Sequence, residues 1–254
     1  RVKSRENAKY QQALTFKFQY SDEVSNETYL GLTASDFKQS PFMRYAASQE
    51  DKMTNKHQQF LLTHEINFSN LLKVTTSGYY NSFARNWYKL NDVVFNGDKV
   101  KIASILNNPT TYNSYMNIIR GISNSDADAL LVKANNREYI SKGIQTKLDF
   151  HWSGENVFHD LEIGLRYHYD EEDRFQWKDG YNMTSNGQMN LTTAAERGSD
   201  ANRISSAKAF AGSILYKLKY KNLTVTPGIR YEDIQLQREN FGSDDSNRTG
   251  ADLS

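Results

Sequence analysis

The stretch LEIGLRYHYD (residues 161–170) decides how the fold is read. Leu161, Ile163, Leu165, Tyr167 and Tyr169 fall on one side of an extended chain, and Glu162, Gly164, Arg166, His168 and Asp170 fall on the other. A period of two marks a β-strand with two unlike faces. What meets the oily face is open at this point, because a soluble sandwich and a membrane barrel both produce the pattern.

Six further segments alternate in the same way. They are ALTFKFQY (13–20), FLLTHEINF (60–68), LKVTTSGYYNSFARNWYKL (72–90), ISKGIQTKLDFHW (140–152), AFAGSILYKLKY (209–220) and LTVTPGIRYEDIQLQRE (223–239). In the last of these the apolar phase slips at Asp233, so that Ile234 and Leu236 change sides, and a β-bulge is expected there.

The connections discriminate better than the strands. Long spacers at about 28–57, 91–138 and 180–205 alternate with short ones at 69–71, 153–160 and 221–222. Structureless loops above about 15 residues are uncommon in a compact soluble domain. Outer-membrane barrels combine short periplasmic turns with long outer loops and ring their lipid face with aromatic girdles. Tyr20, Phe68, Phe150, Trp152, Tyr167, Tyr169, Tyr220 and Tyr231 stand near strand ends, where such girdles lie. The expectation is therefore an all-β, antiparallel transmembrane barrel fragment of about seven strands, with odd strands running outward and Glu162, Arg166 and His168 facing a watery lumen. The alternative is a soluble or surface β-sandwich that binds a ligand or glycan, with its apolar face covered by a second sheet.

Composition agrees. The chain has 254 residues, 38% hydrophobic, with 16 Tyr, 13 Phe, 3 Pro and no Cys. Mean hydropathy is −0.75. No run approaches the ~18 apolar residues of a transmembrane helix, which leaves a barrel open. A formal charge of +1 implies no nucleic-acid partner. The absence of Cys excludes disulfides, thiolate metal sites and a Cys nucleophile. The opening RVKSRENAKY and the closing NRTGADLS carry neither a signal-peptide core nor a finishing element, so residues 1–254 are expected to be part of a longer barrel domain.

Catalytic motifs are missing: there is no G-x-S-x-G, no H-E-x-x-H and no phosphate-binding glycine loop. The chain is expected not to be an enzyme. His151 and His168, on neighbouring strands, are a candidate pair facing the lumen, and polar wall residues are the ordinary reading of both. DEEDR (170–174) is expected to be the solvated base of a long loop.

The segments SNETYLGLTASDFKQSPFMRYAASQEDKM (25–53), GYYNSFARNWYKLND (78–92) and TPGIRYEDIQLQRENFG (226–242) resemble outer loop and barrel-strand sequences of TonB-dependent receptors of the ferric-dicitrate and siderophore type. The resemblance covers most of residues 10–242 and is weakest at 91–138 and 181–205. It implies a bacterial outer-membrane transporter with a barrel of about 22 strands around a plug domain. It also implies a ferric chelate as cargo, and the TonB complex, the protein's own plug and outer-membrane lipid as partners, with iron as cargo and no cofactor. Anionic or oxygen-rich chelates suit guanidinium groups, which offer charge and paired donors. The candidate ligand residues are then Arg44 beside Tyr45, Arg85 and Lys89 flanking Trp87 and Tyr88, and Arg120 and Arg137 in the second long loop. Arg166 and Arg230 are expected on the lumen wall, against the plug.

Overall fold

The computed structural model describes residues 1–253. Its strands form one antiparallel sheet. The long strands are β1 (Gln11–Ser25), β2 (Lys52–Asn67), β3 (Leu72–Phe95), β4 (Leu130–Ser153), β5 (Val157–Met183), β6 (Ala201–Tyr220) and β7 (Gly228–Asn240). Each pairs with the next, giving an unclosed meander of barrel wall. Short segments extend it: Val2–Lys3 on β1, Asp98–Lys101 on β3, Met189–Thr193 on β5, Leu223–Val225 on β6 and Asp252–Leu253 on β7.

The connections alternate as the sequence predicts. At one end the turns are tight: the Phe68 N–H bonds the Leu72 carbonyl at 3.0 Å and the Gly154 N–H bonds that of Val157 at 2.8 Å. The β4–β5 turn is shorter than expected, because residues 157–160 already belong to β5. Pro227 has no N–H to give to the ladder, and it separates Leu223–Val225 from β7.

Antiparallel partners share a face, so register assigns every side chain. Phe16, Leu62, Gly78, Ile144, Tyr167 and Phe210 form one row of the outer face across β1 to β6. These apolar groups are uncovered: Phe16 is 60% exposed and Phe210 49%. Burying such a side chain is worth about 1.5–3 kcal/mol, so a whole belt facing water would be strongly unfavourable. Among the described residues all strands belong to one sheet and none covers this face, in contrast to the expectation of the sandwich alternative. Hydrocarbon is the solvent this face fits.

The strands outrun the membrane. β3 has 24 residues and β5 has 27, while about 9–11 span a bilayer. Their upper halves stand clear of lipid on the long-loop side, which is why alternation fades there while the hydrogen-bond ladder continues. The expected loop at 91–138 is therefore partly strand, and DEEDR is a mid-strand segment of β5. The expected bulge at Asp233 is absent: β7 pairs with β6 without a register shift from Gly228 to Asn240. Ile234 and Leu236 simply turn inward, opposite Ala209 and Ala207, at a level where the outer face no longer needs to be apolar. The irregularity lies instead between Leu90 and Asp92 on β3.

The hydrophobic core sits in the outer loops. Residues 26–51 carry α1 (Ala34–Gln39) and a 3-10 turn (Ala46–Ser48), and the β3–β4 connection carries α2 (Ile102–Asn107) and α3 (Asn113–Arg120). Thr33 caps α1 by accepting from the Asp36 N–H at 3.2 Å. Ile105, Met116 and Ile119 pack with Leu90, Val132 and Met183 from the strand tops, all essentially buried. Gly121 ends α3 at φ 74, where a left-handed residue favours glycine. A Cβ there would lie 2.6 Å from the Gly187 Cα and 2.7 Å from the Ala46 Cβ, so three outer connections meet at this point.

Candidate functional site

The inner face of the sheet carries a row of four arginines above the membrane belt. Arg85 on β3 pairs with Arg137 on β4, Arg137 with Arg174 on β5, and Arg174 with Arg203 on β6. Direct cross-strand pairing of like charges is unfavourable in isolation. In register the row continues through Asn55 on β2 to Glu23 on β1, and one carboxylate, Glu172, two residues before Arg174 on β5, is bonded to the arginines. Its Oε1 accepts from Arg137 Nη1 at 3.1 Å and its Oε2 from Arg174 Nε at 2.9 Å. Arg137 is oriented further by Asn135 at 3.2 Å and Tyr139 at 3.3 Å. Among the described residues Arg85 and Arg203 have no ion-pair partner. Burial, then the charges of Arg174 and Arg238, lower the pKa of the Arg203 guanidinium.

A second cationic row runs above the first on the same face: Lys89 pairs with Lys133, and Lys133 with Lys178. Asp200 bridges Lys133 at 2.6 Å and Lys178 at 2.7 Å. Lys89 is left without a carboxylate. It is 8% exposed, and its ammonium lies 3.2 Å from the Tyr29 ring centre and 4.4 Å from that of Trp87. Burial, then Lys133, push its pKa down to about 8, against the pull of Asp51. Asp51 itself is buried, accepting from Thr28 Oγ1 at 2.6 Å and from the Leu90 N–H at 2.8 Å, and burial raises its pKa. These bonds anchor the start and end of the first outer loop to the top of β3.

Below the arginines the wall is polar and close-fitting. Phe83 and Tyr139 stack at 6.1 Å. Tyr79 hydrogen-bonds His168 and accepts from Arg166 at 3.0 Å. Gly143 leaves room for this cluster, since a Cβ there would lie 2.6 Å from the Tyr79 hydroxyl. Alanines and serines of β6, at 205, 207, 209, 211 and 213, keep the inner face shallow there.

The residues singled out from sequence divide into two groups. Arg85, Lys89 and Arg137 come together on the inner wall. Arg44, Tyr45 and Arg120 do not join them. Arg44 donates to Ser48 Oγ at 3.2 Å and to the Asn26 and Ser48 carbonyls at 3.1 and 3.0 Å. Tyr45, 3% exposed, donates to Asp36 Oδ2 at 2.6 Å, and Arg120 donates to the same oxygen at 2.9 Å. Those bonds, Tyr45 first, hold the Asp36 carboxyl below its ordinary pKa. Tyr45, Asp36 and Arg120 tie the first outer loop to α3, while Arg44 bonds within that loop.

The expected approach of His151 and His168 does not occur. Register sets His151 opposite Asp160 and His168 opposite Gly143, so the two stand far apart along the strands. Each bonds its own aspartate, His151 to Asp160 at 2.7 Å and His168 to Asp170 at 2.6 Å. Among the described residues no cluster of three or more His or carboxylate groups could hold a metal ion. Arg166 and Arg230 face inward as expected, and Arg230 bonds Glu232. Sequence reasoning missed Arg174 and Arg203: Arg203 fell in the stretch read as loop, and Arg174 closed the charged run DEEDR, read as a solvated loop base. The signal available was DEEDR, whose even positions continue the inward phase of LEIGLRYHYD.

No protein-family model matches the sequence, and no curated protein matches it. Solved structures do. The chain is similar to the ferric citrate transporter FecA in its unliganded form, with a TM-score of 0.60 and 17% identity, over 91% of this chain and 30% of that one. It is also similar to the siderophore receptor PiuA from Acinetobacter baumannii, with a TM-score of 0.57 and 10% identity, over 98% of this chain and 36% of that one. A third match is the ferric-catecholate import receptor Fiu from E. coli K12 in its closed form, with a TM-score of 0.55 and 10% identity, over 94% of this chain and 34% of that one. The chain thus spans about a third of the length of these structures. The likeness is one of fold, an antiparallel wall of outer-membrane barrel, and these neighbours are transporters and receptors, not enzymes.

Proposed function

We propose that the chain forms part of the wall and outer loops of a TonB-dependent transporter in a bacterial outer membrane, and that its cargo is an anionic ferric chelate such as iron-dicitrate or a siderophore. The observation that carries this reading is the arginine row: four guanidinium groups, matched in register on neighbouring strands, with one carboxylate, Glu172, bonded to them. It faces the lumen just below the packed outer loops, where an entering solute first meets the wall. The similarity to FecA supports iron chelates over other anions.

Capture is electrostatic. Two cationic rows on a low-dielectric wall concentrate field at the mouth of the lumen and raise the local anion concentration. Arg85 and Arg203 offer uncommitted donors at the two ends of the row. Arg137 and Arg174, held by Glu172, present fixed edges between them. Carboxylate or catecholate oxygens of a chelate take paired N–H bonds from such groups, which discriminates by geometry as well as charge. Iron stays inside its chelate as cargo. In this reading the plug domain closes the lumen below the row, and the TonB complex supplies the energy for its rearrangement.

The test is ferric citrate binding to the full-length protein carrying Arg85→Ala and Arg203→Ala. Charge-assisted hydrogen bonds are worth about 1.5–3 kcal/mol each, so the double variant should bind at least about 100-fold more weakly. A ferric trihydroxamate without negative charge should be unaffected. Unchanged ferric citrate affinity overturns the assignment.

A further inference from the structure

One level of the lipid-facing belt is polar, and it lies at mid-height. Directly below the row that runs from Phe16 to Phe210, register brings Leu14, His64, Thr76, Thr146, Leu165 and Gly212 to the outer face. On β2, His64 stands four residues from Phe60 and four from Phe68. That span, bounded by aromatic rings, matches the ~9–11 residues that cross a bilayer, so His64 sits near the midplane. Thr76 and Thr146 share its level on β3 and β4. All three strands have paired neighbours on both sides, so the patch belongs to finished wall.

The polar groups there are only half satisfied. His64 Nε2 lies 2.9 Å from Gln12 Oε1, an atom that only accepts. The proton is therefore on Nε2, and Nδ1 keeps a lone pair with no partner among the described residues. Thr76, the hydroxyl nearest to His64 in register, turns instead to Thr146 and bonds it at 3.1 Å. With Thr76 as donor, the Thr146 O–H is left over. Hydrocarbon supplies neither a donor to the imidazole nor an acceptor to the hydroxyl, and an unpaired polar group is costly in it. The leftover acceptor and donor suit each other, but they stand two strand spacings apart, about 9–10 Å, and cannot meet within one sheet. Gly78, one step above Thr76 on the same face, has open space where a Cβ would stand, so the surface over β3 is low. Small residues and hydroxyl groups of this kind let membrane-embedded segments approach closely and bond.

We propose that this notch is the contact between two copies of the barrel, related by a two-fold axis along the membrane normal through Thr76 on β3. Such an axis keeps every residue at its own height and reverses the lateral order of the strands. β2 of one copy then faces β4 of the other, and His64 meets Thr146 of the partner subunit on both sides of the axis, acceptor against donor. This self-complementarity favours a second copy over an unrelated partner. The contact depends on the orientation of the barrel in the membrane and not on its cargo, so it stands or falls apart from the arginine row.

The experiment is cysteine cross-linking of the full-length protein in native outer membranes. Residues 1–254 contain no Cys, and the background is made free of any other. Thr76→Cys, on the axis, should give a disulfide-linked homodimer under mild oxidation. Ile229→Cys, 71% exposed on the same face but four strands away on β7, should stay monomeric. His64→Leu with Thr146→Val removes the polar pair and keeps the belt apolar. Hydrogen bonds between membrane-embedded segments are worth roughly threefold to twentyfold each in association, and two are lost per dimer. The dissociation constant, read by single-molecule photobleaching in liposomes, should rise by about tenfold or more. His64→Gln returns an acceptor to the same height and should restore the dimer, which separates loss of the bond from loss of fold. Absence of the Thr76→Cys homodimer, equal cross-linking of Ile229→Cys, or an unchanged dissociation constant in the double variant overturns the proposal. So does a Thr76→Cys adduct with a different polypeptide, which would make the notch a site for another membrane protein.

Discussion

The Lys89 ammonium sits 3.2 Å from the centre of the Tyr29 ring, so one side chain of β3 joins the first outer loop to the cationic wall. Its pKa, pushed down to about 8, has a direct consequence. In the folded protein Lys89 loses its proton between pH 7 and 9, and the wall loses one positive charge. Affinity for an anionic chelate should therefore fall as pH rises through 8. Isothermal titration at pH 7 and 9 checks this, and Lys89→Met should flatten the difference. The stability effect has the opposite sign: with the folded pKa below the unfolded value, the folded state gains stability as pH climbs from about 8 toward 10.5.

Within the arginine row, Arg85 and Arg137 should differ on substitution. Arg137→Ala leaves Glu172 still bonded to Arg174. It removes one cation but also frees half of a carboxylate, so chelate affinity should drop by more than for Arg85→Ala. Glu172→Gln should do the reverse and tighten binding, by about tenfold at most for an interaction of this exposure. Tighter binding by Arg137→Ala, or weaker by Glu172→Gln, is incompatible with capture by charge.

Arg120, Tyr45 and Asp36 should report on the loops and not on cargo. Arg120→Ala is expected to loosen the contact between α1 and α3 and to raise the rate of limited proteolysis in residues 26–51, with chelate affinity changed less than about threefold. The depressed Asp36 pKa gives this contact a pH window. Its contribution is fully present above about pH 3.8 and is lost as pH falls through the lower folded value. Proteolysis of residues 26–51 should approach that of Asp36→Asn only once the pH has fallen well below 3.8, which a pH series checks.

Gly121→Ala should be the most damaging single methyl in the cap. The residue has φ 74, and its new Cβ would lie 2.6 Å from Gly187. Strain and clash together should cost about 1–3 kcal/mol. The readout is hydrogen exchange in α3 and at Met183, which should quicken while the strands below stay protected. Gly97→Ala offers a control, since it has φ 85 but nothing within contact distance.

Much of the wall was legible because the bilayer imposes a strict period of two. Within the belt, Phe16, Ile144 and Phe210 announce the outer face in sequence as plainly as in structure. Above the belt that pressure ends. Strand tops such as residues 130–139 and 170–183 mix charges and aromatics on both faces, and only the hydrogen-bond ladder shows that they remain sheet. Arg174 and Arg203 were hidden for this reason. Arg44, Tyr45 and Arg120 were legible as residues but not in their bonding. The carboxylate that binds two of them, Asp36, lies 84 positions from Arg120, and no local spacing encodes that meeting.

The in-register arginine row also shapes how such a protein can diverge. Its members come from four strands, and each height is set by the number of residues counted up from a tight turn. A point substitution alters one rung. A single inserted or deleted residue between the turn and the row moves every rung of that strand to the other face and sends a guanidinium outward. Lineages that keep this row can exchange side chains freely in the belt, but changes of length must arrive in pairs or be confined to the outer loops. Relatives that take a different solute can therefore be recognised by an odd offset in one of β3 to β6, even where pairwise identity has decayed beyond use.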